Sequence, residues 1–360
     1  FLPIILMGFI YIELGQNTWA QFTKIAVGFF TSILFFDLII QQYNFDLKKL
    51  FKVYMNACYI IAIIGIVQLI SFHLGIRPLY NFHWILNKWG LSQGGLGIRV
   101  NSIFSEPSYV AASIAPAMFV SLYNLTSKKQ YFISSRKSIA ILILYFISFS
   151  SLGIFGFFTA IIFLFVKRGF ITSALLAGPV LILIFTLAYN TIDEFKDRVD
   201  GTFEMFSTQN IYSYDIHGSS FVLYNNYHVA KTNFLENPLF GSGLGSQGHA
   251  FEKHSLTNQI GAVNIESNSA DANSLFLRLL SETGIFGLGF FLIFLFKHYL
   301  PAKRAISEEY WLISVGCLII IILHLVRQGH YFYNGFPFFI WLYYYASKIS
   351  KEKLNLANEK

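Results

Sequence analysis

Charge is scarce in this chain: Asp, Glu, Lys and Arg make up 12% of its 360 residues. Soluble domains carry about 25%, so the shortfall argues against water as the main solvent. Cysteine is scarcer still. Cys58 and Cys317 both fall inside apolar runs, which does not fit a disulfide framework and reads instead as two small buried hydrophobes. Metal-ligand spacing is missing too: His249 and His254 lie five apart, and no His-x3-His or His-Glu-x-x-His occurs, so no metal is expected. No Gly-x-Ser-x-Gly elbow with triad partners is present, which leaves serine-hydrolase chemistry unsupported. Gly241-Ser-Gly-Leu-Gly245 lacks the strand and Gly-Lys-Ser context of a phosphate-cradling loop and reads as a turn.

What the chain has is apolar length. Hydrophobic residues make up 55% and Phe alone numbers 40, with a mean hydropathy of +0.54. Ten apolar segments stand out, at 1–13, 21–41, 50–72, 107–125, 138–150, 152–166, 170–190, 273–296, 309–327 and 336–347. Several reach the ~20 residues that cross ~30 Å of hydrocarbon. The stretch 138–166 is too long for one ordinary span, and Ser148, Ser150, Ser151 and Gly153 interrupt it, so it splits into two short helices near Ser151. Phe1 lies within an apolar run without a charged n-region or cleavage site, so it does not read as a signal peptide; a longer parent with further N-terminal spans is expected.

The net charge of +7 does not mark a nucleic-acid binder, because the basic residues form short tracts between apolar runs. Sixteen of them fall on one alternating set of connections, including Lys48, Lys49 and Lys52, Lys128 to Lys137, and the polar tail Lys348–Lys360. Seven fall on the other, longer set. The positive-inside rule then places the first set in the cytoplasm. Treating 138–166 as one span would put the tracts at 128–137 and 167–168 on opposite sides. Outside lie 73–106, the long interval 191–272 and the short 328–335. The interval Thr191–Ala272 holds ten of the 19 carboxylates and four of the nine histidines, and large loops held on a scaffold are where binding and chemistry concentrate.

Four places could carry chemistry. Arg99 precedes the span that begins at Pro107, where Ser105 is the expected N-cap. Arg99 reads either as an ordinary interfacial arginine or as a bidentate anion ligand near a helix N-terminus. Glu106 at the same helix start is favoured by the helix dipole alone, though it could also hold that arginine or act as a base. Arg327 ends the ninth segment and is followed by Gln328-Gly-His-Tyr-Phe-Tyr-Asn-Gly335, dense in donors and aromatics. Snorkelling with an aromatic belt and a functional role are equally open there. Arg278, five residues into the eighth segment, is expected to snorkel.

These residues fall into a familiar pattern. The chain resembles the O-antigen polymerase/ligase superfamily of polytopic bacterial glycosyltransferases (the Wzy and WaaL type). The resemblance rests on Arg99 with Phe104-Ser-Glu-Pro-Ser108, on Phe234-Leu-Glu-Asn-Pro-Leu-Phe-Gly-Ser-Gly-Leu-Gly245, and on Asn273-Ser-Leu-Phe-Leu-Arg-Leu-Leu-Ser-Glu-Thr-Gly-Ile-Phe-Gly287. The large loop is the fourth element, and the match spans about residues 50–345.

The resemblance implies an all-α polytopic integral membrane protein of about ten transmembrane helices with one large extracytoplasmic loop. Its domains would be helices 1–7 over 1–190, the loop over 191–272, helices 8–10 over 273–347 and a cytoplasmic tail over 348–360. It also implies transfer of a glycan from an undecaprenyl-diphosphate carrier outside the bacterial cytoplasmic membrane, without metal or other cofactor. Arg99 would bind the diphosphate leaving group.

Two departures stand out. The ligase-type histidine directly before Asn273 is replaced by Ala272, and the second loop arginine is absent, since Gly218-Ser-Ser220 is followed by Phe221. Both favour a polymerase over a ligase. Arg198, Lys231 and Arg327 are the candidates for the second cation, with Arg327 beside His330 preferred. Arg99, Glu106, Arg327 and His330 are then the expected catalytic residues, and Arg198, Lys231, Asn273 and Tyr331 the expected substrate-binding ones. The expected partners are the carrier-linked glycan donor and acceptor, membrane lipid and a chain-length regulator protein, with no nucleic acid. A ligase acting on lipid A-core or protein and a transporter or flippase of lipid-linked glycans remain the alternatives. In this reading 191–272 forms a lid over the charged residues.

Overall fold

Lipid-length apolar runs without internal polar partners have one economical solution, the helix, because it satisfies every backbone group within the segment. The computed structural model describes residues 2–86, 88, 90–94, 96–167, 170–191, 193–208, 218–258 and 268–358. In chain order its helices are α1 (Leu2–Glu13), α2 (Trp19–Gln42), α3 (Leu47–His73), α4 (Arg77–Tyr80), α5 (Pro107–Ser127), α6 (Ser135–Ile147), α7 (Ser151–Val166), α8 (Phe170–Thr191), α9 (Asp193–Thr208), α10 (Gly218–Glu236), α11 (Gln247–His254), α12 (Leu275–His298), α13 (Glu308–Arg327) and α14 (Phe336–Asn358). Among the described residues the only sheet is the hairpin of β1 (Gln93–Gly94) and β2 (Gly97–Ile98).

Five helices, α2, α3, α5, α12 and α13, are long and apolar enough to cross a membrane. Their exposed faces are apolar, as lipid requires and water does not. Val53, Ile60, Ile63, Val67 and Ile70 line one side of α3, and Ile285, Phe286, Phe290, Ile293 and Phe296 one side of α12, with Phe296 81% exposed. The chain is therefore a helical membrane protein. A helix also lies over each of the other five apolar segments. The break foreseen within 138–166 is present: α6 ends at Ile147, Phe149 takes a left-handed φ of 45° and α7 starts at Ser151. One boundary differs, since α14 continues to Asn358 through the stretch that reads as a polar tail.

The chain divides into two compact units. Unit 1 comprises 1–35, 185–297 and 324–333; unit 2 comprises 36–184, 298–323 and 334–360. In unit 2, α5 is the central element, buried over most of its length. Gly316 of α13 lets that helix approach Pro116 of α5 within 3.3 Å of where a Cβ would stand. The segment before α5 runs deep into the unit. Val100, Asn101 and Ser102 are buried, and the Ser102 hydroxyl donates to the Ile61 carbonyl at the middle of α3 (2.9 Å). Non-helical backbone at that depth persists only where protein satisfies it. Gln68 does so, accepting from the Ser102 amide at 2.8 Å and donating to Asn101 Oδ1 at 3.0 Å.

At one end of unit 2, Glu308 opens α13 and gathers Lys129 (2.9 Å), Lys167 (2.7 Å) and Tyr123 (2.9 Å), with Tyr131 also donating to it. This ties the α5–α6 and α7–α8 connections to the start of α13.

Candidate functional site

α12 is not one continuous helix. At Gly284 the backbone turns to φ 61° and ψ −162°, a conformation open in practice only to glycine. A break inside an apolar span orphans amides on one side and carbonyls on the other. The turn 237–243 fills the gap on both sides. Pro238 and Leu239 carbonyls accept from the Ile285 and Phe286 amides (2.9 and 3.2 Å), while the Ser242 and Gly243 amides donate to the Ser281 and Glu282 carbonyls (3.0 and 2.9 Å). Asn233 of α10 adds its amide Nδ2 to Ser242 Oγ (2.7 Å), Ser281 Oγ (2.8 Å) and Ser281 O (3.0 Å). A Cβ on Gly241 would strike the Glu282–Thr283 peptide, and one on Gly284 the Leu239 carbonyl. The glycine-bearing turn and the glycine break of α12 are thus halves of one object.

The break sets Glu282 facing inward. Its carboxylate is fully buried. Oε1 accepts from Arg278 Nε at 3.0 Å, one helical turn earlier, and lies 3.4 Å from the Gln247 amide that opens α11; Oε2 accepts from the Tyr331 hydroxyl at 2.7 Å. Arg278, only 3% exposed, also donates to the Gly329 carbonyl (3.0 Å) and lies 4.3 Å from the centre of the Tyr331 ring. Arg278 therefore does not snorkel: a carboxylate four residues on and an aromatic face compensate its charge inside the protein. Burial, and then the Glu282 carboxylate, push the Tyr331 phenol well above its ordinary value, so it stays a donor.

Beside this core sits a second pair. His330 Nε2 lies 2.8 Å from Asp271 Oδ2, and Asp271 Oδ1 accepts from the Asn273 amide at 3.0 Å. Ala272 and Asn273 both adopt left-handed backbone, φ 56° and 52°, conformations that cost L residues on the order of a kcal/mol each. They leave the chain pointed so that Ser274 can anchor α12 by donating to the Leu325 carbonyl (2.6 Å). Gly329 packs against the Asp271 carbonyl so closely that no side chain would fit. The Tyr333 ring stacks on the imidazole at 3.8 Å.

Unit 2 holds the remaining pair of expected catalytic residues. Arg99 follows β2 and lies against Gly94 across the hairpin; its Nε is buried without a partner among the described residues. The N-cap of α5 is Glu106 rather than Ser105, with Pro107 in the first turn. Glu106 accepts from Ser108 Oγ at 2.8 Å, and Ser105 instead gives its carbonyl to Asn101 Nδ2 (3.2 Å).

No sequence motif marks Lys88, which lies between α4 and β1. Its ammonium is buried on Asn101 Oδ1 (2.7 Å) and the Ser102 carbonyl (2.6 Å), both neutral, over the Phe82 ring. Burial without a carboxylate pushes its pKa down from 10.5 to about 8. Between these values the folded chain has released a proton that the unfolded chain still binds, so stability should rise with pH across about 8 to 10.5. Melting of the purified protein from pH 7.5 to 9.5 should show a rise that Lys88→Met lacks; equal curves would refute the assignment.

Of the other expected residues, Lys231 is exposed on α10, its ammonium 5.9 Å from the Tyr227 ring centre. Arg327 is half-buried at the last position of α13. Arg198 lies on α9, its side chain outside the described residues. Unit 1 therefore brings Asn273, His330 and Tyr331 together with Asp271, Arg278 and Glu282, three residues outside the expected set. Tyr331 is turned inward and its hydroxyl is occupied. Among the described residues no group of His, Cys, Asp and Glu could hold a metal ion. No family model and no curated protein matches the chain.

Proposed function

We propose that the protein is a membrane glycosyltransferase that polymerises a surface polysaccharide. The acceptor is a carrier-linked repeat unit, the donor a glycan on undecaprenyl diphosphate, and the reaction takes place at the outer face of the bacterial cytoplasmic membrane. The observation that carries this reading is the union of two family-like segments. The turn 237–243 is sewn into the break of α12, so their order and spacing have one structural cause. Next to that union, an imidazole 24% exposed stands over a buried carboxylate, at the ends of helices long enough to span lipid. Such a group can take a proton from a sugar hydroxyl at the membrane surface. Arg99, with a buried Nε lacking a partner among the described residues, is assigned the diphosphate leaving group, whose growing charge it would stabilise. Glu106 is assigned to orienting groups in the same unit, and Arg327 to a second cationic contact.

The break in α12 also favours a second reading, since transporters bind substrate at discontinuous helices. Here, however, the Ile285 and Phe286 amides and the Ser281 and Glu282 carbonyls are already bonded to the turn. They leave those groups no role in holding cargo.

Reconstitution with a carrier-linked repeat unit tests the proposal. A ladder of products is expected. A single transfer to lipid A-core would make the protein a ligase, and carrier crossing the bilayer without new glycosidic bonds would make it a flippase. Arg99→Ala should lower ladder formation about 10²–10³-fold with unchanged membrane insertion. Wild-type polymer from that variant would remove Arg99 from the site.

A further inference from the structure

We propose that Asp271 and His330 form a general-base dyad, in which Asp271 fixes the imidazole as its Nε2–H tautomer and His330 Nδ1 receives the proton of the acceptor hydroxyl. The pairing comes from the geometry; the identity of the hydroxyl rests on the polymerase reading.

Asp271 Oδ2 stands 2.8 Å from Nε2. A carboxylate only accepts, so that nitrogen carries the hydrogen, and in the neutral imidazole Nδ1 keeps its lone pair. Among the described residues Nδ1 has no hydrogen-bond partner, and His330 is 24% exposed while the Asp271 side chain is 7% exposed. One face of the pair is therefore sealed and the other reachable. Asp271 cannot swing away, because its second oxygen holds the Asn273 amide (3.0 Å) and the Gly329 backbone packs against it. The imidazole cannot tilt freely, because Tyr333 stacks on it at 3.8 Å. Orientation from both sides is what a general base requires, with a third group setting its tautomer.

The imidazole thus reaches the neighbourhood of Ala272 from a segment 58 positions further along the sequence. The left-handed backbone at Ala272 and Asn273 brings the Asn273 amide onto the Asp271 carboxylate. Local strain of this kind collects where a site over-determines the chain.

In the transfer step the hydroxyl proton moves to Nδ1, and the oxygen lone pair forms the bond to the anomeric carbon. The bond from that carbon to the diphosphate oxygen breaks, its electron pair leaving with undecaprenyl diphosphate. His330 then returns the proton to water. Asp271 is a positioning residue and His330 the catalytic one.

The test uses the full chain in lipid nanodiscs. Nitrogen-15 NMR of histidine should show neutral His330 as the Nε2–H tautomer in the wild type and as a mixture in Asp271→Asn. With carrier-linked repeat units, His330→Ala should lower kcat about 10²–10⁴-fold. Asp271→Asn should lower it by about 10²-fold or more through the wrong tautomer, with KM little changed in both. An unchanged tautomer in Asp271→Asn, or wild-type kcat in His330→Ala, overturns the dyad. Should the wild type build no ladder at all, the polymerase reading fails, while the tautomer measurement still judges the dyad by itself.

Discussion

Gly284→Ala is expected to be among the most damaging single substitutions in the chain. Its φ of 61° and ψ of −162° fall where an alanine is strained by about 1–3 kcal/mol, before packing is considered. The new methyl would also meet the Leu239 carbonyl and the Gly241 amide. Neither can retreat without breaking the hydrogen bonds that cap the two halves of α12, and overpacking against fixed backbone adds about 1–3 kcal/mol. A loss on the order of 3–5 kcal/mol follows. Gly241→Ala should behave alike, because its Cβ would face the Glu282–Thr283 peptide from the opposite side of the same contact. Gly289, five residues along α12, has open space where a Cβ would stand, so Gly289→Ala should be neutral or stabilising by up to about 1 kcal/mol. Thermal melting of the three variants in one detergent checks this. Melting of Gly284→Ala together with Gly289→Ala would mean that the turn does not hold the break.

The same contact shows what the sequence could and could not reveal. Helices announce themselves through runs of apolar residues, and a helix lies over each apolar segment, including the division near Ser151. That signal is local, needing only backbone hydrogen bonds within the segment. The end of α14 escaped it because Lys348–Asn358 is polar yet contains no helix breaker. The site was less legible because its pairings are long-range. Tyr331 and Glu282 are 49 residues apart in sequence, and no periodicity joins them. Arg278 and Glu282 were readable, since a basic and an acidic residue four apart within an apolar helix share one face. Treating Arg278 as a lone charge hid this. The glycines of 241–245 were visible as turn chemistry, whereas Gly284 lies inside an apolar segment, and nothing in either segment says that they close on each other. Glu106 takes the N-cap position expected of Ser105 because the Ser105 carbonyl is bound to Asn101.

Removing Glu282 should cost about as much as the glycine contact, for an electrostatic reason. Arg278 is 3% exposed and Glu282 fully buried, so Glu282→Ala leaves a guanidinium in the interior whose direct contacts among the described residues are the Gly329 carbonyl and a ring face, with the Asp271 carboxylate acting on it from further off. Breaking a buried pair by deleting one partner costs about 3–5 kcal/mol. It also leaves the Tyr331 hydroxyl without its acceptor, a further 1–3 kcal/mol or so. Arg278→Met should be damaging in the same way, stranding the carboxylate between Tyr331 and the Gln247 amide. The double variant Arg278→Met with Glu282→Leu removes both charges at once, and apolar replacements of buried pairs are commonly near neutral. The double variant is therefore expected to melt above either single variant, although it carries more changes, and the coupling should exceed 0.5 kcal/mol. Additive losses would show that the two side chains do not act as a pair. A double variant that recovers stability and still transfers glycan would place Arg278 and Glu282 in the scaffold beneath Asp271 and His330. Recovery of stability without transfer would extend the chemistry to the charged pair itself.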